Sequence, residues 1–340
     1  MQEAVASGVL SISHRSRDYS RLHSDTTLAL RHLLDIPEDY HVWFLGSATE
    51  AMERIIQNTV ASTSHHLVAG AFAAKFADTS FSLGKLVSID EVEWGDSFDL
   101  DTIDVPAAAE LIAITVNETS TGTHIDPASI TRLHERYPDH LIAVDLVSAV
   151  PYVQIDFRAV DCAFFSVQKG FGLPAGLGVL VASPRAMARS RQLQAAGSVI
   201  GSYHSFPELA KWEEKHQTPE TPNVLAIYLL GAVARDLTAY GIDRLRTETT
   251  EQATAIYDYF DRHSGYTLGA PNPAHRSQTV IVAAPTAGVA PVMDALSARG
   301  FKLGKGYGKQ KDTHFRIANF PAHLGHTDQL LSYLEDHSPA

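Results

Sequence analysis

The sequence predicts an α/β protein: a large unit built on a mostly parallel sheet with helices on both faces, then a smaller α+β unit. Two observations carry that expectation. Short apolar runs alternate with stretches of helical spacing from residue 19 to about residue 182, the pattern of strands joined by helical crossovers. After "TPETPNVLAIYLLGAVARDL" (218–237) strands become sparse and two long helical stretches reach about residue 262. The large unit is therefore assigned to residues 15–235 and the small one to 236–340, with residues 1–14 beside the small unit or the substrate site.

Taken in order, "YSRLHSDTTLALRHLL" (19–34) has helical spacing and "HVWFL" (41–45) reads as a strand. "TEAMERIIQNTV" (49–60) is a helix, "HLVAG" (66–70) a strand and "AFAAKFADTSF" (71–81) a helix. "KLVSI" (85–89), "ELIAITV" (110–116), "HLIAVD" (140–145), "CAFFSV" from Cys162 and "GLGVLVA" (176–182) add strands, with a helix at 127–137. The second unit offers "TVIVAA" (279–284), a helix near 289–299, "THFRIANF" (313–320) and a last helix near 326–336.

The composition narrows the function. Over 340 residues, 45% hydrophobic and 19% charged, the formal net charge is −12. That charge argues against a general nucleic-acid or anionic-membrane binder, so an anionic ligand needs a local cationic cluster. The single cysteine, Cys162, permits no intrachain disulfide. The N-terminus lacks the pattern of a secretory signal and no apolar run reaches the roughly 20 residues of a membrane span. A cytoplasmic protein is expected. The histidine pairs His65/His66 and His323/His326 have no nearby carboxylate or cysteine to complete a metal site.

In an open parallel sheet, ligands collect outside the carboxyl ends of the strands. "HLIAVD" ends on Asp145, "CAFFSV" runs into Gln168 and Lys169, and "LIAITV" runs into Asn117, Glu118 and Thr119. "HVWFL" enters "GSATEAM", a small-residue turn that opens a helix. Each has an ordinary structural explanation: a solvated lysine, a turn-forming aspartate, or a Ser47 or Thr49 helix cap. Together they suggest pyridoxal phosphate. A lysine forms a Schiff base with an aldehyde cofactor, an acid holds the pyridine nitrogen protonated, and a helix N-terminus receives phosphate.

The run "VDLVSAVPYVQIDFRAVDCAFFSVQKGFGLPAGLGVLVASPRA" resembles the class V aminotransferases of the aspartate-aminotransferase fold (fold type I), phosphoserine aminotransferases in particular. The likeness extends, in the family's order, through "SHRSRDY" (13–19), "GSATEAM" (46–52), "AGAFAAKF" (69–76), "NETSTG" (117–122), "TPETPN" (218–223) and "RIANFPAH" (316–323). It implies that Lys169 carries the cofactor, Asp145 pairs with its ring nitrogen, and Thr119 lies on its O3′ side. Gln168, Ser47 and Ala48 would hold its phosphate. Phe72 takes the place of the usual stacking tryptophan. Thr221 would reach the phosphate from a partner subunit, making a homodimer part of the site. Beside the resemblance, Arg316 is assigned to the substrate α-carboxylate because a guanidinium pairs with a carboxylate in bidentate fashion, and His14, Arg15 and Lys309 are candidate cations for the distal acidic group. The activity implied is phosphoserine:2-oxoglutarate transamination, acting on small amino and keto acids.

Three departures stand out. Only 12 residues precede Ser13, where the family has a longer Gly-Pro-containing segment lining the substrate site. The substrate site is thus short of that wall, or the natural start lies upstream. Glu220 replaces an asparagine beside Thr221, and "GYGKQKDTHFR" (306–316) lacks the usual His-Arg. The alternatives are a class V enzyme for another small pair (alanine, serine or glyoxylate type) and a non-catalytic protein of the same fold. A desulfurase needs a mobile cysteine, whereas Cys162 sits in an apparent strand. "GFGLPA" (170–175) matches a dinucleotide fingerprint only formally, since Pro174 and the following strand prevent the helix it must open.

Overall fold

The computed structural model describes residues 1–336. Its strands are β1 (His41–Leu45), β2 (Thr63–Val68), β3 (Leu86–Glu91), β4 (Leu111–Thr115), β5 (Asn117–Glu118), β6 (Thr123–His124), β7 (Leu141–Asp145), β8 (Cys162–Ser166), β9 (Gly178–Ala182), β10 (Tyr266–Leu268), β11 (Val280–Pro285), β12 (Gly304–Lys305) and β13 (Phe315–Ala318). Seven form one sheet in the order β1-β9-β8-β7-β4-β2-β3. Within it β3, β2, β4, β7 and β8 run parallel, and β9 is antiparallel to both its neighbours.

Except at the edge strand β3, which is partly exposed, this sheet is buried on two faces, which is why its central strands read as near-continuous apolar runs. Successive side chains point to opposite faces. Phe44, Ile112, Ile114, Ile142, Val144, Phe165 and Val179 enter one core. Their neighbours Trp43, Leu45, Leu111, Ala113, Ala143, Phe164 and Leu180 enter the other. The helix Arg17–Leu34 covers the first face with Val224–Tyr240, whose Ile227, Leu230 and Ala234 are fully buried. Thr26 Oγ1 donates to Ile227 O at 3.2 Å between the two helices. The helix Ala48–Thr59 covers the second face through Met52, Ile55 and Ile56.

The second sheet, β10-β11-β13-β12, is antiparallel throughout. It packs with the helices Ile242–Arg262, Val289–Ala298 and Thr327–Glu335 around Ile256, Phe260, Ile281, Phe315 and Leu334. The long helical stretch breaks at Gly241, where the two helices meet at 84°. The N-terminal helix Gln2–Ala6 and the turn Val9–Ser11 lie on Val224–Tyr240. No single helix among the described residues is long and apolar enough to cross a membrane.

Several elements differ from the sequence reading. β2 starts at Thr63 because His65 and His66 are buried in the strand, each with a serine partner: Ser88 Oγ at 3.1 Å and Ser64 Oγ at 2.9 Å. The helices Pro184–Ala195 and Phe206–Glu213 went unread, as did the short hairpin β5–β6. The first helix is capped by Ser183, whose Oγ accepts Ala186 N–H at 3.0 Å, a signal present in "SPRA".

Candidate active site

A cavity of ≈ 200 Å³ opens at the carboxyl ends of β4, β7 and β8. Thr115, Asp145 and Ser166, the last residues of those strands, form part of its wall, with Gln168 and Lys169 just beyond β8. Ser47, Ala48, Thr119 and Phe72 line it too. Seven residues singled out for the cofactor (Lys169, Asp145, Gln168, Thr119, Ser47, Ala48 and Phe72) thus share one cavity.

Local packing explains how the chain brings them there. The helix Ala48–Thr59 begins at Ser47, whose Oγ accepts Glu50 N–H at 3.1 Å, while Glu50 Oε2 accepts Gly46 N–H at 2.9 Å. One first-turn donor and the amide of the residue before the cap are thereby satisfied, and the turn Gly46–Thr49 faces the cavity. Gly178 at the start of β9 lets that turn close onto the sheet: a Cβ there would lie 2.5 Å from the Ser47 carbonyl carbon. Gly170, next to Lys169, is equally constrained, since its Cβ would lie 2.0 Å from Val150 O. Gly170 and Gly178 therefore reflect close backbone approach, while Gly172 and Gly176 take positive φ (64° and 120°).

Asp145 is buried, and burial pushes its carboxyl up to about 7, with Glu118 adding to the rise and Lys169 and Lys75 opposing it. Its Oδ1 accepts Val147 N–H at 2.8 Å, and no other hydrogen bond among the described residues reaches it. Burial also lowers Lys169, helped by the Arg316 guanidinium and opposed by Asp145. A lowered amine is more often unprotonated and nucleophilic. Glu118, also raised by burial, accepts Phe72 N–H (3.1 Å), Ala73 N–H (3.0 Å) and both donors of Ser120. It thereby caps the helix Ala71–Ser82 and sets Phe72 at the cavity edge.

Pyridoxal phosphate fits this donor set. Thr115 Oγ1 and Ser166 Oγ are buried on the cavity wall without a partner among the described residues. Asp145 is a buried acid short of a cationic donor, which a protonated pyridine nitrogen supplies. Thr119 Oγ1 donates to Ser148 Oγ at 2.8 Å, which also receives Asn117 Nδ2 at 2.7 Å.

Arg316, on β13, donates to Lys305 O at 2.8 Å and to Thr119 O at 3.4 Å, so the second sheet delivers a guanidinium to the cavity edge. Tyr307 packs on Phe72 with ring centroids 5.0 Å apart. Lys309 is exposed in the turn Gly308–Gln310 that follows. His14, Arg15 and Thr221 lie outside the cavity wall of this chain. Arg15 stacks on Trp212 (3.9 Å) and donates to Gln217 Oε1, Thr218 O and Pro219 O at 3.2, 2.6 and 3.1 Å. Thr221 is exposed just beyond.

Sequence reasoning missed Lys75, which lines the cavity and donates from Nζ to Thr49 Oγ1 at 2.9 Å. Its place one helical turn after Phe72 was the available signal.

The class-V aminotransferase profile matches residues 1–308. The chain belongs to the class-V aminotransferases. It is therefore a pyridoxal-phosphate-dependent transaminase that acts on amino and keto acids. A phosphoserine aminotransferase from Rhodococcus opacus is 27% identical over 322 residues, 94% of this chain and 85% of that protein. The solved phosphoserine aminotransferase from Cytophaga hutchinsonii superposes with a TM-score of 0.96 at 39% identity, covering 98% of this chain and 93% of that one. The PLP-bound phosphoserine aminotransferase from Trichomonas vaginalis, at 19% identity and TM-score 0.75 over 96% and 91% of the chains, shares the fold. Cys162 of this aminotransferase is fully buried in β8, and burial raises its thiol well above the usual range, so it offers no nucleophile at the cavity.

Proposed function

We propose that this aminotransferase interconverts phosphoserine and its keto acid with glutamate/2-oxoglutarate as the second pair. The observation that carries the reading is the convergence of Asp145, Lys169 and the Gly46–Thr49 turn on one cavity whose edge bears Arg316. The cofactor supplies an aldehyde for the amino group and a ring that takes up the substrate's carbanion electrons. Lys169 anchors it and, once released, moves the proton at the substrate Cα, a task suited to its lowered amine. Asp145 keeps the ring nitrogen protonated and Thr119 orients the ring from the O3′ side. Gln168, Ser47 and Ala48 hold the phosphate, with Lys75 adding a cation. Phe72 stacks on the ring.

Arg316 receives the α-carboxylate, since a guanidinium pairs with it through two parallel hydrogen bonds. The distal phosphate is met by Arg15 and His14, with Lys309 at the mouth. Thr221 is offered on an arm, residues 217–223, against which Arg15 packs, and we assign the two to contact with a second copy of the chain in a homodimer. Tyr203, 54% exposed and packed on His204, which bonds Glu220 of the arm, supplies apolar surface for such a contact. We place the enzyme in the cytoplasm, where its lone thiol stays reduced. The small unit is proposed to start near residue 236, close to the Gly241 break.

One observation favours a second reading. Three oxygens of its own chain already engage Arg15, which suits a class V enzyme for a small uncharged pair. Single-turnover spectroscopy of the holoenzyme with a panel of amino acids decides. Phosphoserine and glutamate should both convert the cofactor to its amine form. Fast conversion by alanine or serine and none by phosphoserine would select the second reading.

A further inference from the structure

His204 belongs to no part of the site described so far, yet it joins two parts of it. Its side chain is only 4% exposed and lies between two carboxylates. Nδ1 meets Glu50 Oε1, and Nε2 meets Glu220 Oε2 at 2.8 Å. Glu50 belongs to the first turn of the helix Ala48–Thr59, and its other oxygen holds Gly46 N–H. Glu220 adjoins Thr221 on the arm. A continuous chain of hydrogen bonds therefore runs from the Gly46 amide through Glu50 and His204 to the arm. We infer that His204 is a positioning residue which, as an imidazolium, fastens the turn that receives the cofactor phosphate to the arm that presents Thr221. This rests on the proposed reading of Gly46–Thr49 as the phosphate turn.

The charge state follows from the partners. An ionised carboxylate only accepts hydrogen bonds, so both ring nitrogens must donate, and only the protonated imidazole has two donors. Burial alone would lower this histidine, but its bonds to Glu220 and Glu50 and their charges outweigh it and push it up to about 9. Other groups face the cluster as well. Tyr203 packs on the ring at 4.1 Å, Arg54 acts on Glu50, and Tyr19 and His23 sense Glu220. Arg15 holds the arm's other flank through Thr218 O and Pro219 O.

The device answers a problem set by Glu50. A carboxylate in a helix's first turn draws on the same positive end that a phosphate needs. The imidazolium offsets part of that negative charge and also accounts for Glu220, the acid that stands where the family has an asparagine. Above about pH 9 the proton leaves, one ring nitrogen then faces a carboxylate as a second acceptor, and two uncompensated acids remain near the phosphate.

The test uses the full chain and two probes, pyridoxal phosphate and pyridoxal, titrated by absorbance and equilibrium dialysis. The ratio of their affinities cancels the titration of Lys169 and isolates the phosphate contribution. For the wild type this ratio should fall roughly tenfold between about pH 7.5 and about pH 10, the scale of one charge-assisted hydrogen bond. His204→Gln should show the lowered ratio already at the lower pH, and no further drop. Glu220→Gln, which keeps a neutral acceptor in place, should move the midpoint of the drop to lower pH, and it serves even where His204→Gln does not fold. A ratio indifferent to pH and to both substitutions overturns the inference alone. A wild-type chain that binds neither probe at Lys169 overturns the functional reading, and this inference with it.

Discussion

The floor of the cavity and the arm beside it are built on opposite principles. On the floor, Thr115, Asp145 and Ser166 are strand-end residues, all at most 5% exposed, held by a sheet with two buried faces. At the arm, Thr221 and the Arg15 that packs against it are exposed, and the contacts that fix the segment join residues as far apart in sequence as Arg15 and Pro219. The floor is complete within one chain, whereas the arm makes sense as something presented outward. The proposed function puts catalytic chemistry on the rigid part and substrate choice on the part that depends on longer-range contacts.

Lys169→Ala should break the floor most severely. Covalent attachment of the cofactor and its visible absorbance should disappear. Turnover should fall by at least about 10²–10⁴-fold, the contribution of a positioned proton-transfer group. Retained activity with the cofactor attached through a lysine would show that another residue carries it.

Asp145 comes next. Asp145→Asn should leave the cofactor attached but slow turnover about 10²–10³-fold, the scale of one preorganised electrostatic contact. The same substitution should stabilise the cofactor-free protein at alkaline pH. The folded carboxyl is raised from its ordinary 3.8 to about 7. Between those values the folded state holds the proton that the unfolded state has released, so stability falls as pH rises through that window. A shift of this size corresponds to at most about 4 kcal/mol. Thermal denaturation of the cofactor-free forms should show Asp145→Asn ahead above about pH 7 and level with the wild type near about pH 4.

Much of the floor was legible because its signals are local. "HLIAVD" and "CAFFSVQK" end apolar runs on polar residues, and parallel strands deliver such ends to one edge. "GSATEAM" combined a cap residue with the small residues a tight turn needs. The resemblance then gave roles that composition could not. The arm was legible only as a motif: nothing in "SHR" says that Arg15 lies on Trp212 and holds the carbonyls of residues 218 and 219. His204 and Lys75 were missed for the same reason, since their partners lie on other elements.

Arg316 tests how the second sheet meets the cavity floor, because it comes from that sheet yet reaches Thr119 O. Arg316→Ala should raise KM for every amino acid donor that has an α-carboxylate. The loss in kcat/KM should be about 10–100-fold, as expected for a charge-assisted contact of roughly 1.5–3 kcal/mol. An effect confined to phosphoserine would move Arg316 from the α-carboxylate to the distal group.

The smallest effect, and the sharpest on the arm, is expected from Arg15→Ala. The guanidinium is exposed, so its direct attraction for a substrate phosphate is worth no more than about 1 kcal/mol, or roughly fivefold in KM. Its three bonds to residues 217–219 add an indirect effect through the arm, which every substrate should feel equally. Steady-state kinetics with phosphoserine and glutamate separates the two. A KM rise larger for phosphoserine than for glutamate marks direct contact with the distal phosphate, the outcome expected here. Arg15→Lys should recover part of that selective term, because the charge returns. It should not recover the shared term, because an ammonium cannot span both carbonyls while stacking on Trp212. Equal losses for both substrates, unrelieved by lysine, would make Arg15 a tether alone and strengthen the case for a small uncharged substrate.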